Sequence, residues 1–243
     1  RVAAAVWQTP HTTVAPQVRP IENPVAENPA SVRQPSEKAI QLLTQASELS
    51  QRATTDEEYS QVVQLCRHVM AIESAPAAVR FASDLAGWGL NRRGELKADN
   101  GQNQEALLDF EDALRLDPKR WRAIHNRGVI AAQEGRFAEA FEDFNKTLEL
   151  NAKFAKAYSN RAALFVQAGD YQSALEDYRQ AIDNDPDLAI AHKGRAKVCH
   201  LLGDFHTALQ HFDAAMLLAP SDPIIVTYRG DLLTDMGRYH DAA

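Results

Sequence analysis

The sequence predicts an all-α fold, an α-solenoid of antiparallel helix pairs, and three columns of residues carry that prediction. Glycines stand at Gly101, Gly135, Gly169, Gly203 and Gly237, each 34 residues after the last. Alanines keep the same period at Ala106, Ala140, Ala174, Ala208 and Ala242, with Phe110, Phe144, Tyr178 and Phe212 four residues beyond the first four of them. A small-residue series, Gly94, Gly128, Ala162, Ala196 and Gly230, runs seven positions ahead of the glycines. Self-similarity at a fixed period means one supersecondary unit repeated, each copy covering its neighbour's apolar face.

Each column has a physical reason. The small residue on the first helix and the alanine on the second let the two helices approach closely, and the aromatic fills the remaining space. The glycine carries the backbone through the turn between them, where positive φ is favoured. Pro118, Pro186 and Pro220 stand where a second helix has to stop.

Along the chain, residues 1 to about 35 hold six of the eleven prolines and no glycine, which predicts an extended tether. From Glu37, "EKAIQLLTQASELSQRA" aligns Ile40, Leu43, Ala46 and Leu49 on one helical face, and "EEYSQVVQLCRHVMAI" aligns Val62, Leu65, Val69 and Ile72. Thr54, Thr55 and Asp56 supply turn and cap chemistry between them, and Pro76 suits the first turn of a further helix. Asn103 follows Tyr59 by 44 residues rather than 34, so 36–86 reads as a degenerate repeat plus a lengthened helix. The regular units then run 87–120, 121–154, 155–188 and 189–222, with a partial fifth at 223–243.

These columns resemble the tetratricopeptide repeat family, whose 34-residue helix pairs stack into a right-handed superhelix. The resemblance covers 157 of the 243 residues, the stretch from 87 to 243. It departs from the family at the fourth position of each unit, where Leu90, Ile124, Tyr158, His192 and Val226 include one aromatic, and at Ala152, which replaces a stop proline.

A net charge of −7 with 24% charged and 45% apolar residues gives no pull toward nucleic acid or anionic lipid, and no apolar run is long enough for a bilayer. Cys66 and Cys199 form no metal or redox spacing. His200, His206 and His211 fall on different elements of one unit and read as surface histidines. The acidic pairs Glu111-Asp112 and Glu142-Asp143 read as solvent-facing, and no nucleophile elbow or phosphate loop occurs. No enzyme activity, metal or cofactor is therefore expected within these residues. The opening without Met and the proline-rich start lean toward an extracytoplasmic protein.

Arg93, Arg127, Arg161, Arg195 and Arg229 occupy the seventh position of all five units. Asp109, Asp143 and Asp177 occupy the twenty-third position of the first three, and His211 takes it in the fourth. The arginines read as structural partners of these acids, because recurrence tracks the scaffold and not a unique site. An anion-binding ladder is the alternative.

The resemblance implies a concave groove lined by first helices, with Trp88, Arg122, Lys156 and Ile190 at the second position of the units. Asn91, His125, Ser159 and Lys193 follow at the fifth, and Glu95, Val129, Ala163 and Lys197 at the ninth. Arg122, Lys156, Lys193 and Lys197 make this row basic, suited to an acidic segment or a C-terminal carboxylate of a partner protein. Asn126 and Asn160 are candidates for holding a peptide backbone, and His125 joins the candidate groove. The family's five-residue carboxylate clamp is matched at only two positions, Asn126 and Lys156, so chaperone-tail binding is not carried over.

The expected function is thus a non-enzymatic scaffold or adaptor that binds a peptide or partner protein. A recognition or oligomerisation arm of an enzyme, and a self-assembly module joining through the uncovered end of the array, are the alternatives. Further repeats are expected downstream.

Overall fold

The computed structural model describes residues 33–237. The expected tether, 1–35, lies almost wholly outside them, as does the end of the partial fifth unit. The described residues form eleven helices and no strand. They divide into two compact units, 33–130 and 131–237, the boundary falling inside one helix.

In the unit 33–130, α1 (Glu37–Ser50) starts at Ser36, whose hydroxyl accepts from the Ala39 amide. Helix α2 (Asp56–Ile72) starts with a capping box, Thr55 and Glu58 satisfying each other's amides. Helix α3 (Pro76–Asp99) has its proline in the first turn, where a missing N–H costs nothing. Helix α4 (Asn103–Leu116) and most of α5 (Trp121–Gln133) complete the unit. Glu73, after α2, accepts the amides of Ser36, Ser74 and Ala75 and so joins the starts of α1 and α3.

Two expected faces need correction. In α1 the buried row is Ala39, Leu43, Ala46 and Ser50, while Ile40 is 50% exposed. In α2 it is Tyr59, Val62, Val63, Cys66 and Val69, with Ile72 45% exposed. The true rows step by one helical turn from Ala39 and Tyr59. Close packing of α1 selects its small alanines, not its largest apolar residue.

In the unit 131–237, α6 (Phe137–Leu150), α7 (Ala155–Ala168), α8 (Tyr171–Asn184), α9 (Ala189–Leu201), α10 (Phe205–Leu218) and α11 (Pro223–Asp235) follow in order. Neighbours pack in sequence, and α7 also packs on α9, as first helices of successive repeats do. Asp170, Asp204 and Asp222 cap α8, α10 and α11 with their side chains.

The columns do what their residue types require. Phe110, Phe144 and Phe212 are fully buried, and Tyr178 is 4% exposed. A Cβ on Gly94 would lie 2.5 Å from the Phe110 ring, so that glycine is demanded by close approach. The turn glycines all have φ between 73° and 80°, and Gly169 closes α7 in the left-handed region. Helix α6 stops at Leu150 even with Ala152 in place of proline, the Asn151 side chain accepting the Lys153 amide.

Candidate functional site

The recurring arginines resolve first. In the unit 33–130, Arg93 Nε donates to Asp109 at 2.8 Å, its Nη2 to the other carboxylate oxygen, and Lys97 adds a third donor at 2.9 Å. In the unit 131–237, Arg161 grips Asp177 through two bonds of 2.7 and 2.8 Å and also donates to Asn145 Oδ1 at 2.7 Å. Arg229 turns the other way, to Asp213 at 2.6 Å on the preceding helix. The Arg93 and Arg161 pairs are bidentate with largely buried acids, the geometry that fixes one helix against the next, whereas Arg229 makes a single bond to a half-exposed acid. Asp143, expected on a solvent face with Glu142, is 8% exposed and belongs to this buried acid column.

The candidate groove residues divide by burial. In the unit 33–130, His125 and Asn126 are fully buried. Asn126 Nδ2 donates to Asn91 Oδ1 at 3.2 Å and to Glu95 Oε1 at 3.0 Å; Asn91 also donates to Glu95, and Arg92 closes the network on its other oxygen. Glu95 is 2% exposed; burial pushes its carboxyl up, and the Arg92 charge and the two amides pull the other way. Sequence reasoning missed this network. Its signal was a lone glutamate in a column that otherwise reads Val129 and Ala163 in the next two units.

Arg122 is half-buried, its guanidinium 4.1 Å from the Trp121 ring centre, and burial pushes its pKa down. Trp88, expected to line the groove, is 6% exposed and packs edge-on against Tyr59. In the unit 131–237, Asn160 is 1% exposed, while Lys156, Lys193 and Lys197 are half-buried. Lys193 Nζ lies 2.8 Å from Asp222, the cap of α11, and Lys197 Nζ sits 5.1 Å over the Tyr228 ring. The asparagines and His125 are thus interior residues, the Lys193 side chain is 12% exposed within its ion pair, and Arg122, Lys156 and Lys197 are half-buried.

The histidines separate as well. His200 pairs with Asp235 at 2.7 Å and His206 is exposed, but His211 is half-buried against His192, Nδ1 to Nδ1 at 3.1 Å. His211 is therefore not a surface histidine, and burial beside Arg195 and His192 pushes it down to about 4. Cys66 and Cys199 are free and buried, the first pushed up to about 12 by desolvation. No group of three or more His, Cys, Asp or Glu is arranged to hold a metal among the described residues. No described helix is long and apolar enough to cross a membrane.

Family models described as tetratricopeptide repeat match residues 89–120, 122–187 and 160–223. The chain belongs to the tetratricopeptide repeat family. No curated protein matches the sequence. Among solved structures, this repeat array is similar to a tetratricopeptide repeat protein from Parabacteroides merdae, at 21% identity and a TM-score of 0.57, covering 85% of this chain and 77% of that one. It is also similar to MamA, at 19% identity and a TM-score of 0.53, with 61% and 87% covered. A third, YrrB, described as a TPR protein with an unusual peptide-binding site, shares 18% identity and a TM-score of 0.50, with 63% and 79% covered. At these identities the likeness is one of fold.

Proposed function

We propose that the repeat array is a non-enzymatic scaffold that binds an acidic segment of a partner protein through cations on its first helices. The supporting observation is a contrast within the unit 131–237. The recurring arginines Arg161 and Arg229 are consumed by internal ion pairs, whereas Lys193 and Lys197 stand in columns that change from unit to unit. Columns that the repeat does not hold constant are the ones open to selection by a partner. Their contacts to Asp222 and Tyr228 hold the ammonium groups in place before binding, which reduces the entropy lost on association. Lys156 on the packed neighbour α7 extends this surface, and Arg122 is the corresponding cation of the unit 33–130. His125, Asn126 and Asn160 support the first helices from inside.

Fluorescence anisotropy with a labelled peptide of eight glutamates tests the reading. The Lys156→Ala, Lys193→Ala, Lys197→Ala triple variant is expected to bind about tenfold or more weakly, with unchanged helicity. Equal affinity at matched salt contradicts it.

A second reading, self-association, is favoured by the apolar exposure at α10 and α11, where Leu217 is 85% and Val226 52% exposed. Light scattering that finds a monomer at high concentration removes it.

A further inference from the structure

The arginine ladder has one broken rung. In the unit 131–237, Arg161 and Arg195 each lie 16 positions before a residue on the second helix of their own repeat and 16 after one on the preceding second helix, and Arg229 lies 16 after Asp213. For Arg161 these are Asp177 and Asn145, and both supply oxygen acceptors. For Arg229 the preceding one, Asp213, does so. For Arg195 they are His211 and Arg179. Both oxygen acceptors have been replaced, one by an imidazole and one by a second cation.

The surroundings make up only part of the loss, the Arg195 charge acting on the exposed Glu176 carboxylate. Arg179 turns along its own helix to Glu176 and Asp183, and Gln180 Nε2 donates a further bond to Glu176, so the oxygens of that carboxylate are already engaged. Arg195 contacts the Cys199 thiol, and its Nε is buried with no hydrogen-bond partner among the described residues. His211 cannot stand in for an aspartate. His192 Nε2 lies 3.0 Å from the Pro186 carbonyl, which can only accept, so that nitrogen carries the proton. In neutral His192 the other nitrogen is then an acceptor, and His211 Nδ1–H donates to it across 3.1 Å. His211 thus turns a donor, not an acceptor, toward His192, and an imidazole in either protonation state offers the neighbouring guanidinium no negative charge.

We propose that this rung, Arg195 with His211 and His192, is a carboxylate-binding site that receives an aspartate or glutamate side chain of a partner protein. The sister rungs define the ligand: where the repeat supplies its own acid, the arginine holds a carboxylate through two parallel N–H bonds, and here the carboxylate has to come from outside. His192, His211 and Arg195 are all half-buried, so each side chain keeps some exposed surface although the Arg195 Nε itself is covered. The site lies wholly within the unit 131–237 and does not rest on the lysine surface.

Restoring the missing acid tests the assignment. In the full chain, the Arg195 Nε–H and the His211 ring resonances are followed by NMR while acetate, and then the eight-glutamate peptide, is added against a chloride control of equal ionic strength. The wild type is expected to give saturable shifts with both carboxylates and not with chloride. His211→Asp closes the rung internally and is expected to weaken the response about tenfold or more without lowering thermal stability. Arg195→Gln is expected to abolish it. The triple-lysine variant is expected to keep it, so the two sites fail independently. No saturable shift, an equal response to chloride, or an unchanged response in His211→Asp overturns the proposal.

Discussion

Arg161 and Arg229 occupy the same place in their repeats, yet their acids differ in exposure. The Asp177 side chain is 6% exposed and the Asp213 side chain 47%. Removing a buried partner leaves an uncompensated charge at a cost of about 3 kcal/mol or more, whereas an exposed pair is worth about 1 kcal/mol or less. Asp177→Ala is therefore expected to lower stability several times more than Asp213→Ala, as read from urea midpoints; equal losses would mean that the bidentate geometry carries no weight. His211 adds a pH dependence. Its folded pKa of about 4 lies below its ordinary 6.5, so as pH falls through 6.5 the unfolded chain takes up a proton that the folded one refuses. The associated stability is fully present above pH 6.5 and is lost progressively down to about pH 4. In His211→Gln the slope of stability against pH in that window is expected to be shallower, and an unchanged slope would place the imidazole outside the folded cluster.

At the scale of the element, the aromatic column carries most of the packing. Phe212 is fully buried among Ala196, Ala208 and Ala215, so Phe212→Ala is expected to cost about 3–5 kcal/mol. Gly169→Ala forces a Cβ into the left-handed region at φ 78° with no neighbour in the way, so its cost is backbone strain alone, about 1–2 kcal/mol. Thermal unfolding of both variants checks that order, and a larger loss for the glycine would contradict the packing account. These elements were legible because each column is a small alphabet repeated at one spacing. In α1 and α2 Leu43, Ala46, Val62 and Val69 are buried as expected, but Ile40 and Ile72 were misplaced, since no repeat constrains these helices and Ile40 outweighs Ala39 in any hydrophobicity count. Glu95 was illegible for a different reason: a buried carboxylate needs three donors from two helices, and Asn91, Arg92 and Asn126 converge only after folding.

Across the whole molecule, polar residues sort into two kinds. Of those that recur every 34 residues, Arg93, Arg161 and Arg229 are tied into the scaffold and Arg195 is not, while on the proposed reading those that break the recurrence, Lys193, Lys197 and His211, serve a partner's acidic groups. A net charge of −7 opposes an acidic partner at long range, so attraction must be local and persist only within a Debye length of about 8 Å at physiological salt. Urea midpoints measured with and without the eight-glutamate peptide test this division most directly, because a ligand at a hundred times its Kd stabilises the folded state by about 2.7 kcal/mol. Arg161→Met is expected to lower the midpoint and keep the peptide increment, while the triple-lysine variant loses most of the increment measured from its own midpoint. The reverse pattern would mean that the recurring arginines bind and the lysines merely hold the fold.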